Sequence, residues 1–268
     1  MKLNSISTLI VSICFLASVH AGNEWMEYPG GFEYKSKNLS YKIGNDGTFN
    51  NLKDADGILL VKNVYIMGDY VFQGEKHDTR LFQTACKGGP LKVSGGGNIY
   101  QIHKEGYIGS KIYEKAVRFS ENASISSDKI IMECEVEYLV ELSSKRCTPF
   151  WTIINIPVET FRNKGYGTKE KNGKSTLSVF PELYSGKATV ASRLKELIIV
   201  QGNYHLTIRS NDEDTFFLIS DPRSYDAKSD VLRIDIGKTL PYINTPRTFA
   251  PGAKFKWSFE ISFTEIKD

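Results

Sequence analysis

Asn38 to Leu60, NLSYKIGNDGTFNNLKDADGILL, is the stretch whose reading decides the fold. Leu39, Tyr41 and Ile43 alternate with polar residues, the two-residue period of a half-buried strand. Asn45-Asp46-Gly47 follows, and Asp-Gly favours a tight hairpin because both of its residues tolerate positive φ. Phe49 and Leu52 begin a returning strand. Asp56-Gly57 supplies a second turn, and Ile58 to Val61 is a third apolar run. Three short strands joined by two turns make a meander, the opening of an antiparallel sheet.

The same period recurs downstream. In Ile130 to Val140, Ile130, Met132, Cys134, Val136, Tyr138 and Val140 alternate with a face that carries Glu133, Glu135 and Glu137. A helix needs apolar residues three and four apart, so this stretch reads as a strand. Phe150 to Val158, FWTIINIPV, is apolar on both faces and reads as a central, fully covered strand whose ladder ends at Pro157. In the last strand, Phe255, Trp257, Phe259, Ile261 and Phe263 share one face and bring four aromatic rings to the core. Further strands are expected at Val64–Phe72, with a bend or bulge at Gly68-Asp69, and at Ile99–Ile112, with a turn at Glu105-Gly106. Asn163 to Ser175 reads as a basic, glycine-rich loop. Ala188 to Val200 is the one stretch that fits a helix, and it fits a strand as well. The tally is about fourteen strands. The fold class expected is all-β, a large antiparallel β-sandwich with at most one or two short helices, because a sheet of that size folds over into two packed layers.

Lys2, the apolar run Leu9 to Ala17 and the small-residue site Val19-His20-Ala21 have the order of a secretory signal peptide, and the run is too short to span a bilayer. The expected organisation is a signal peptide over 1–21 and a single β-sandwich domain over 22–268, secreted or periplasmic, with no transmembrane segment. The net charge of +3 over 268 residues implies neither nucleic acid nor an anionic membrane as partner. An acidic polysaccharide is still compatible with it. Beyond the leader there are three cysteines. Cys134 and Cys147 can bridge if their Cα atoms come within about 7 Å, and the other reading, for these and for Cys86, is a buried free thiol. There is no CxxC and no His-x₃-His, so no structural zinc site is expected.

The order strand, Asp46-Gly47-Thr48-Phe49, strand, Asp54-Ala55-Asp56-Gly57, apolar run resembles the opening of galactose-mutarotase-like super-sandwich domains. Pro251-Gly252-Ala253 followed by Phe255 to Phe263 is similar to their final strand. Such domains recur in aldose epimerases, polysaccharide lyases and accessory domains of glycoside hydrolases, so the resemblance implies a carbohydrate partner. The epimerases use two histidines and a late glutamate. Past the leader this chain has only His77, His103 and His205, and neither Glu260 nor Glu265 lies in a matching segment. No catalytic residue is carried over.

Several polar groups are candidates. His103, in Gln101-Ile102-His103, resembles a triplet in a family of alginate lyases, although that family's arginine-rich and Tyr-Phe-Lys strands are absent. With Tyr107 it forms a possible base and acid beside a sugar carboxylate. The other reading is a surface or hydrogen-bonded histidine. His77-Asp78-Thr79-Arg80 holds an acidic sugar through Arg80 or is a solvated turn. His205 and Arg209 share one strand face, lining a concave site or facing solvent. Glu133, Glu135 and Glu137 need solvent, a basic partner strand or a cation, and Ca²⁺ suits their hard oxygens. Asp212 to Asp214 has the same readings. With 14 Tyr, 15 Phe and 3 Trp the chain is rich in rings that suit the apolar faces of sugars. Trp25, Tyr28, Tyr107, Trp151 and Tyr166 are the platform candidates, Trp151 also reading as core.

The expectation is an exported carbohydrate-interacting domain that binds a polysaccharide or oligosaccharide on a concave sheet face in glycan utilisation. The catalytic alternative is a lyase or glycosidase on the same scaffold, using His103, Tyr107 and His205 with Arg80, His77 and Arg209 on the substrate. The third reading is a surface or structural protein. No cofactor is expected apart from the possible Ca²⁺, and oligomeric state is open.

Overall fold

A computed structural model describes residues 24–72, 79–110, 113–144, 150–238 and 247–266. The described residues form twenty strands. The first six are β1 (Glu24–Tyr28), β2 (Gly31–Lys35), β3 (Leu39–Gly44), β4 (Phe49–Asp54), β5 (Leu59–Phe72) and β6 (Thr79–Phe82). Then come β7 (Lys92–Gly96), β8 (Ile99–Ile108), β9 (Val117–Ile125), β10 (Lys129–Tyr138), β11 (Leu142–Ser144), β12 (Trp151–Pro157) and β13 (Gly165–Glu170). The chain closes with β14 (Ser175–Val179), β15 (Thr189–Gln201), β16 (Tyr204–Ser210), β17 (Thr215–Ser220), β18 (Val231–Lys238), β19 (Arg247–Phe249) and β20 (Lys254–Glu265). One α-helical turn, α1 (Val158–Phe161), and two 3₁₀ turns complete the described elements.

Every pairing between strands is antiparallel, and the pairings sort the strands into two layers. Layer one runs β1-β2-β3-β4-β5-β12-β18-β17. Layer two runs β7-β8-β9-β10-β20-β16 and on through β15 to β13 and β14. β15 belongs to both: Thr189 to Leu194 pairs with β17, and Glu196 to Gln201 pairs with β16. The register slips between Ala191 and Leu194, where Arg193 takes a φ of 57°. A bulge of this kind bends a strand, and here it turns the chain from one layer into the other.

The inner faces of the layers share one core. Tyr34, Tyr41, Ile66, Ile154, Ile234 and Phe217 from layer one meet Phe119, Met132, Trp257, Phe259 and Ile208 from layer two. The Trp257 indole N–H donates across the core to Thr152 Oγ1 at 2.9 Å. At one end Gln83 is fully buried and ties the layers together. Its Oε1 accepts from Ile66 N at 2.8 Å, and its Nε2 donates to Asp46 O at 3.0 Å and to Glu121 Oε2 at 2.9 Å. Burial pushes the Glu121 carboxyl up to about 8, with Asp46 adding to the shift and Gln83 and Lys104 opposing it.

The opening meander is present, with different turns from those expected. Of Asn45, Asp46 and Gly47 only Gly47 has positive φ, at 89°. Gly47 N bonds Gly44 O at 2.9 Å and Gly44 N bonds Thr48 O at 2.9 Å, which is a three-residue loop with a left-handed glycine last. Asp54 to Ile58 repeats that pattern around Gly57, with Asp54 Oδ1 accepting from Asp56 N and Ile58 N.

Three other expectations are corrected, and two open alternatives are decided. β5 runs straight through Gly68, where an added Cβ would come 2.4 Å from Tyr70 Cε2 and 3.1 Å from Phe150, so packing and not a bend requires glycine. β8 runs through Glu105-Gly106 without turning, and Gly106 lies against Phe119. Asn163 to Ser175 is mostly the strand β13 and its tight hairpin to β14, not a loop. Of Ala188 to Val200, all but Ala188 lies in β15, so the strand reading holds there. Cys134 is a buried free thiol whose Sγ faces Thr152 Oγ1 at 3.7 Å, so the free-thiol reading holds there. Cys147 lies outside the described residues.

Candidate functional site

β12 is buried along its whole length. Thr152, Ile154 and Ile156 face the core between the layers. Trp151, Ile153 and Asn155 point the other way, onto the outer face of layer one, because side chains alternate along a strand. Cross-strand pairing puts Asn63, Tyr65 and Met67 of β5 beside them on one flank, and Arg233 and Asp235 of β18 on the other. Met67, Trp151 and Ile153 form a small apolar cluster of their own, with Tyr65 and Phe82 packed against it. The Tyr65 and Phe82 rings are 6.2 Å apart.

The polar end of this face is partly buried and internally matched. Asn155 Nδ2 donates to Asn63 Oδ1 at 2.7 Å. Asn155 Oδ1 has no hydrogen bond of normal geometry, and the Asn155 amide lies beside the Tyr65 phenol. Arg233 grips Asp235 with two nitrogens: Nη2 donates to Oδ2 at 2.9 Å, and Nε is 2.7 Å from Oδ1. Burial works against the Arg233 charge, and Asp235, Tyr225 and Tyr65 together more than restore it. Burial pushes the Tyr65 phenol up. Asn155 and Arg233 counter that shift, while Asp235 and Tyr225 add to it. Tyr225, 67% exposed, thus stands near the pair at the rim.

The rim is built rigidly. Buried Asp221 accepts from Arg223 N at 3.1 Å and Nε at 2.9 Å, and Arg223 Nη1 reaches across to Glu182 O at 2.8 Å. This fixes the loop that carries Tyr225. The face therefore offers rings (Tyr65, Phe82, Tyr225) beside amide and guanidinium donors and a carboxylate acceptor. That is the composition of a site for a polar molecule with apolar patches. One signal in the sequence pointed here: a lone Asn in FWTIINIPV, and Arg and Asp two apart in the otherwise apolar VLRIDIG.

The residues singled out from sequence lie elsewhere, apart from Trp151, which is the apolar floor of this face. His103 and Tyr107 are on the outer face of layer two, four residues apart on β8, or roughly 13 Å. His103 Nδ1 bonds Asn122 Oδ1 at 2.8 Å, and the Tyr107 ring takes Lys115 Nζ at 4.8 Å from its centroid. His205 and Arg209 share that outer face but sit on β16, four strand spacings or about 19 Å from β8. Arg209 Nε donates to Glu196 at 2.6 Å. The catalytic grouping of His103, Tyr107 and His205 is therefore not assembled. Arg80 is exposed on β6, and His77 lies outside the described residues.

Two platform candidates are corrected. Trp25 is stacked between Phe32 at 5.6 Å and Tyr100 at 5.2 Å, so its faces are already covered. Tyr166 is buried and stacks on Phe180 at 4.2 Å. The glutamates of β10 have basic partner strands: Arg118 and Lys254 meet Glu137, and Lys256 meets Glu135 at 2.7 Å. Among the described residues no acidic, histidine or cysteine side chains are grouped to hold a metal, and no helix is long and apolar enough to cross a membrane.

No protein-family model and no curated protein matches the chain. Solved structures do. The galactose 1-epimerase of Lactobacillus acidophilus NCFM superposes with a TM-score of 0.53 at 8% identity, over 92% of this chain and 100% of that one. A galactose mutarotase-like protein of Clostridium acetobutylicum gives 0.51 at 9% identity, over 91% and 98%. The galactosidase domain of an alpha-galactosidase–sucrose kinase gives 0.54 at 9% identity, over 90% of this chain and 42% of that one. The chain has the galactose-mutarotase-like super-sandwich fold.

Proposed function

We propose that this chain is an exported carbohydrate-binding domain, freed of its leader near Ala21, and that the outer face of layer one is where it holds sugar. The observation that carries the reading is the Arg233–Asp235 pair set beside Asn63–Asn155 and Tyr65, on a sheet face that the core does not use. A matched, partly dried array of donors and acceptors suits hydroxyls, and the adjoining rings suit the C–H faces of a pyranose. The names of the fold's relatives, an epimerase and a galactosidase domain among them, fit a sugar partner.

Binding is favoured over turnover. Acid–base chemistry on a sugar needs two proton-transfer groups within hydrogen-bond reach of one bond. His103 and His205 are far apart, and Asp235 is held by Arg233.

Affinity electrophoresis against neutral and uronic-acid polysaccharides tests the reading, with uronate absorbance read in parallel. Retardation without product is expected, weakened at least fivefold by Tyr225→Ala and by Asn63→Ala. Retardation untouched by these changes and abolished by His103→Ala would move the site to layer two. Release of unsaturated product would replace the binder with a lyase.

A further inference from the structure

β14, Ser175-Thr176-Leu177-Ser178-Val179, is exposed at all five residues. Leu177 is 89% exposed and Val179 56%, and Leu183, a few residues on, is 79% exposed. Among the described residues β14 pairs only with β13, so its other side is a sheet edge. Edges are normally blunted by charge, proline or bulges, since an open row of peptide groups recruits another strand. This one has no charged residue, no proline and no register slip.

The hydrogen-bond phase of the edge follows from its hairpin. Phe180 N bonds Lys164 O at 3.0 Å, and Glu170 N bonds Lys174 O at 2.9 Å. Alternation then assigns Thr176 and Ser178 to the inward bonds with β13. The N–H and C=O groups of Ser175, Leu177 and Val179 point outward. The neighbouring strand leaves the aliphatic stripe uncovered, because Gly167 and Gly165 stand opposite Leu177 and Val179. Neither glycine has positive φ, and an added Cβ at either would meet nothing closer than 3.4 Å. Neither backbone strain nor packing within the chain explains why these two positions lack side chains.

We propose that β14 is a self-association edge that pairs antiparallel with β14 of a second copy, with Leu177 on the two-fold axis. Self-complementarity selects the occupant. Centred on Leu177, an antiparallel pair sets Leu177 opposite Leu177 and Ser175 opposite Val179. Every outward N–H and C=O of the three residues is then used, and each Leu177 covers the other. A register one residue away aligns outward with inward groups and loses the ladder. Charge agrees with direction. Lys174 stands at one end of the strand and Glu182 just beyond the other, so antiparallel pairing brings opposite charges together where parallel pairing would place like beside like. Five residues bury less than a standard interface, so the association is expected to be weak.

Sedimentation of the whole chain from micromolar to millimolar concentration reads it, together with Leu177→Cys under mild oxidation. Wild type should approach twice the chain mass at the upper end. Leu177→Lys, which sets like charges across the axis, should stay at one chain mass throughout. Leu177→Pro should do the same and still fold, since the N–H it removes points away from β13. Leu177→Cys should cross-link to a dimer, and Val179→Cys, which faces Ser175 in this register, should not. A wild type that stays monomeric, or a dimer that survives both Leu177→Lys and Leu177→Pro, overturns the proposal. Equal cross-linking at 177 and 179 overturns the register.

Discussion

The outer face of layer one holds Arg233 and Asp235 with side chains 17% and 11% exposed, and the outer face of layer two holds Arg209 and Glu196 at 54% and 19%. Both are arginine–carboxylate pairs on sheet faces turned away from the shared core. In layer one, loops and rings have dried the pair, and an aromatic cluster adjoins it. In layer two the pair belongs to a broad exposed lattice that includes Arg118–Glu137 and Lys256–Glu135. The same chemistry is thus a constrained site in one place and a solvated surface in the other, and what separates them is water.

Stability should expose that difference most strongly. Arg233→Ala strands a carboxylate that is nearly buried, a change that costs about 3–5 kcal/mol where one partner of a buried pair is lost. Arg209→Ala removes an exposed partner and should cost less than about 1 kcal/mol. Urea midpoints compare the two directly. Equal losses would mean that the layer-one face is as wet as the other, and the site reading would fall with it.

The contrast sharpens between neighbouring glutamates on β9 and β10. Glu121 points inward to Gln83, and Glu135 points outward to Lys256. The folded pKa of Glu121, about 8, lies above the ordinary 4.5. The folded chain therefore keeps a proton that the unfolded chain gives up, and stability falls as pH rises from about 4.5 to 8. Glu121→Gln removes this loss. It should leave stability near wild type at pH 4 and exceed it by roughly 2–4 kcal/mol at pH 8. Denaturant curves at the two pH values decide it, and a Glu121→Gln variant less stable at pH 8 would show that the carboxylate is ionised in place.

How much of this could be read from the chain follows from what alternation reports. Two-residue periodicity marks strands well, so the meander, β10, β12 and β20 were legible along with the two-layer class. Turns were less so: Gly47 and Gly57 are left-handed within three-residue loops, a choice set by hydrogen bonds to Gly44 and Asp54 that composition does not display. β15 fitted helix and strand alike because a bulge at Arg193 breaks its period. The site was missed for a different reason. Periodicity separates inward from outward on each strand but cannot say which outward face is covered. Histidines and exposed basic residues drew attention to layer two, while Asn155 sat inside an apolar run that read as a covered central strand and Arg233 and Asp235 lay on a strand whose outward face alternation does not single out.

The smallest effect tests the layer-two surface alone. His103 bonds Asn122 across β8 and β9, and Lys256 meets Glu135 across β20 and β10. Exposed cross-strand pairs contribute about 0.2–1 kcal/mol and are screened by salt. His103→Ala should cost about 0.5 kcal/mol or less, and the smaller effect of Lys256→Ala should shrink further in 1 M salt, with glycan retardation unchanged in both. Retardation that fails in either variant, with the fold intact by circular dichroism, would assign the sugar to the exposed lattice. The dried Arg233–Asp235 pair would then be a strut for β18, its arginine held by the carboxylate to spare the sheet a buried lone charge.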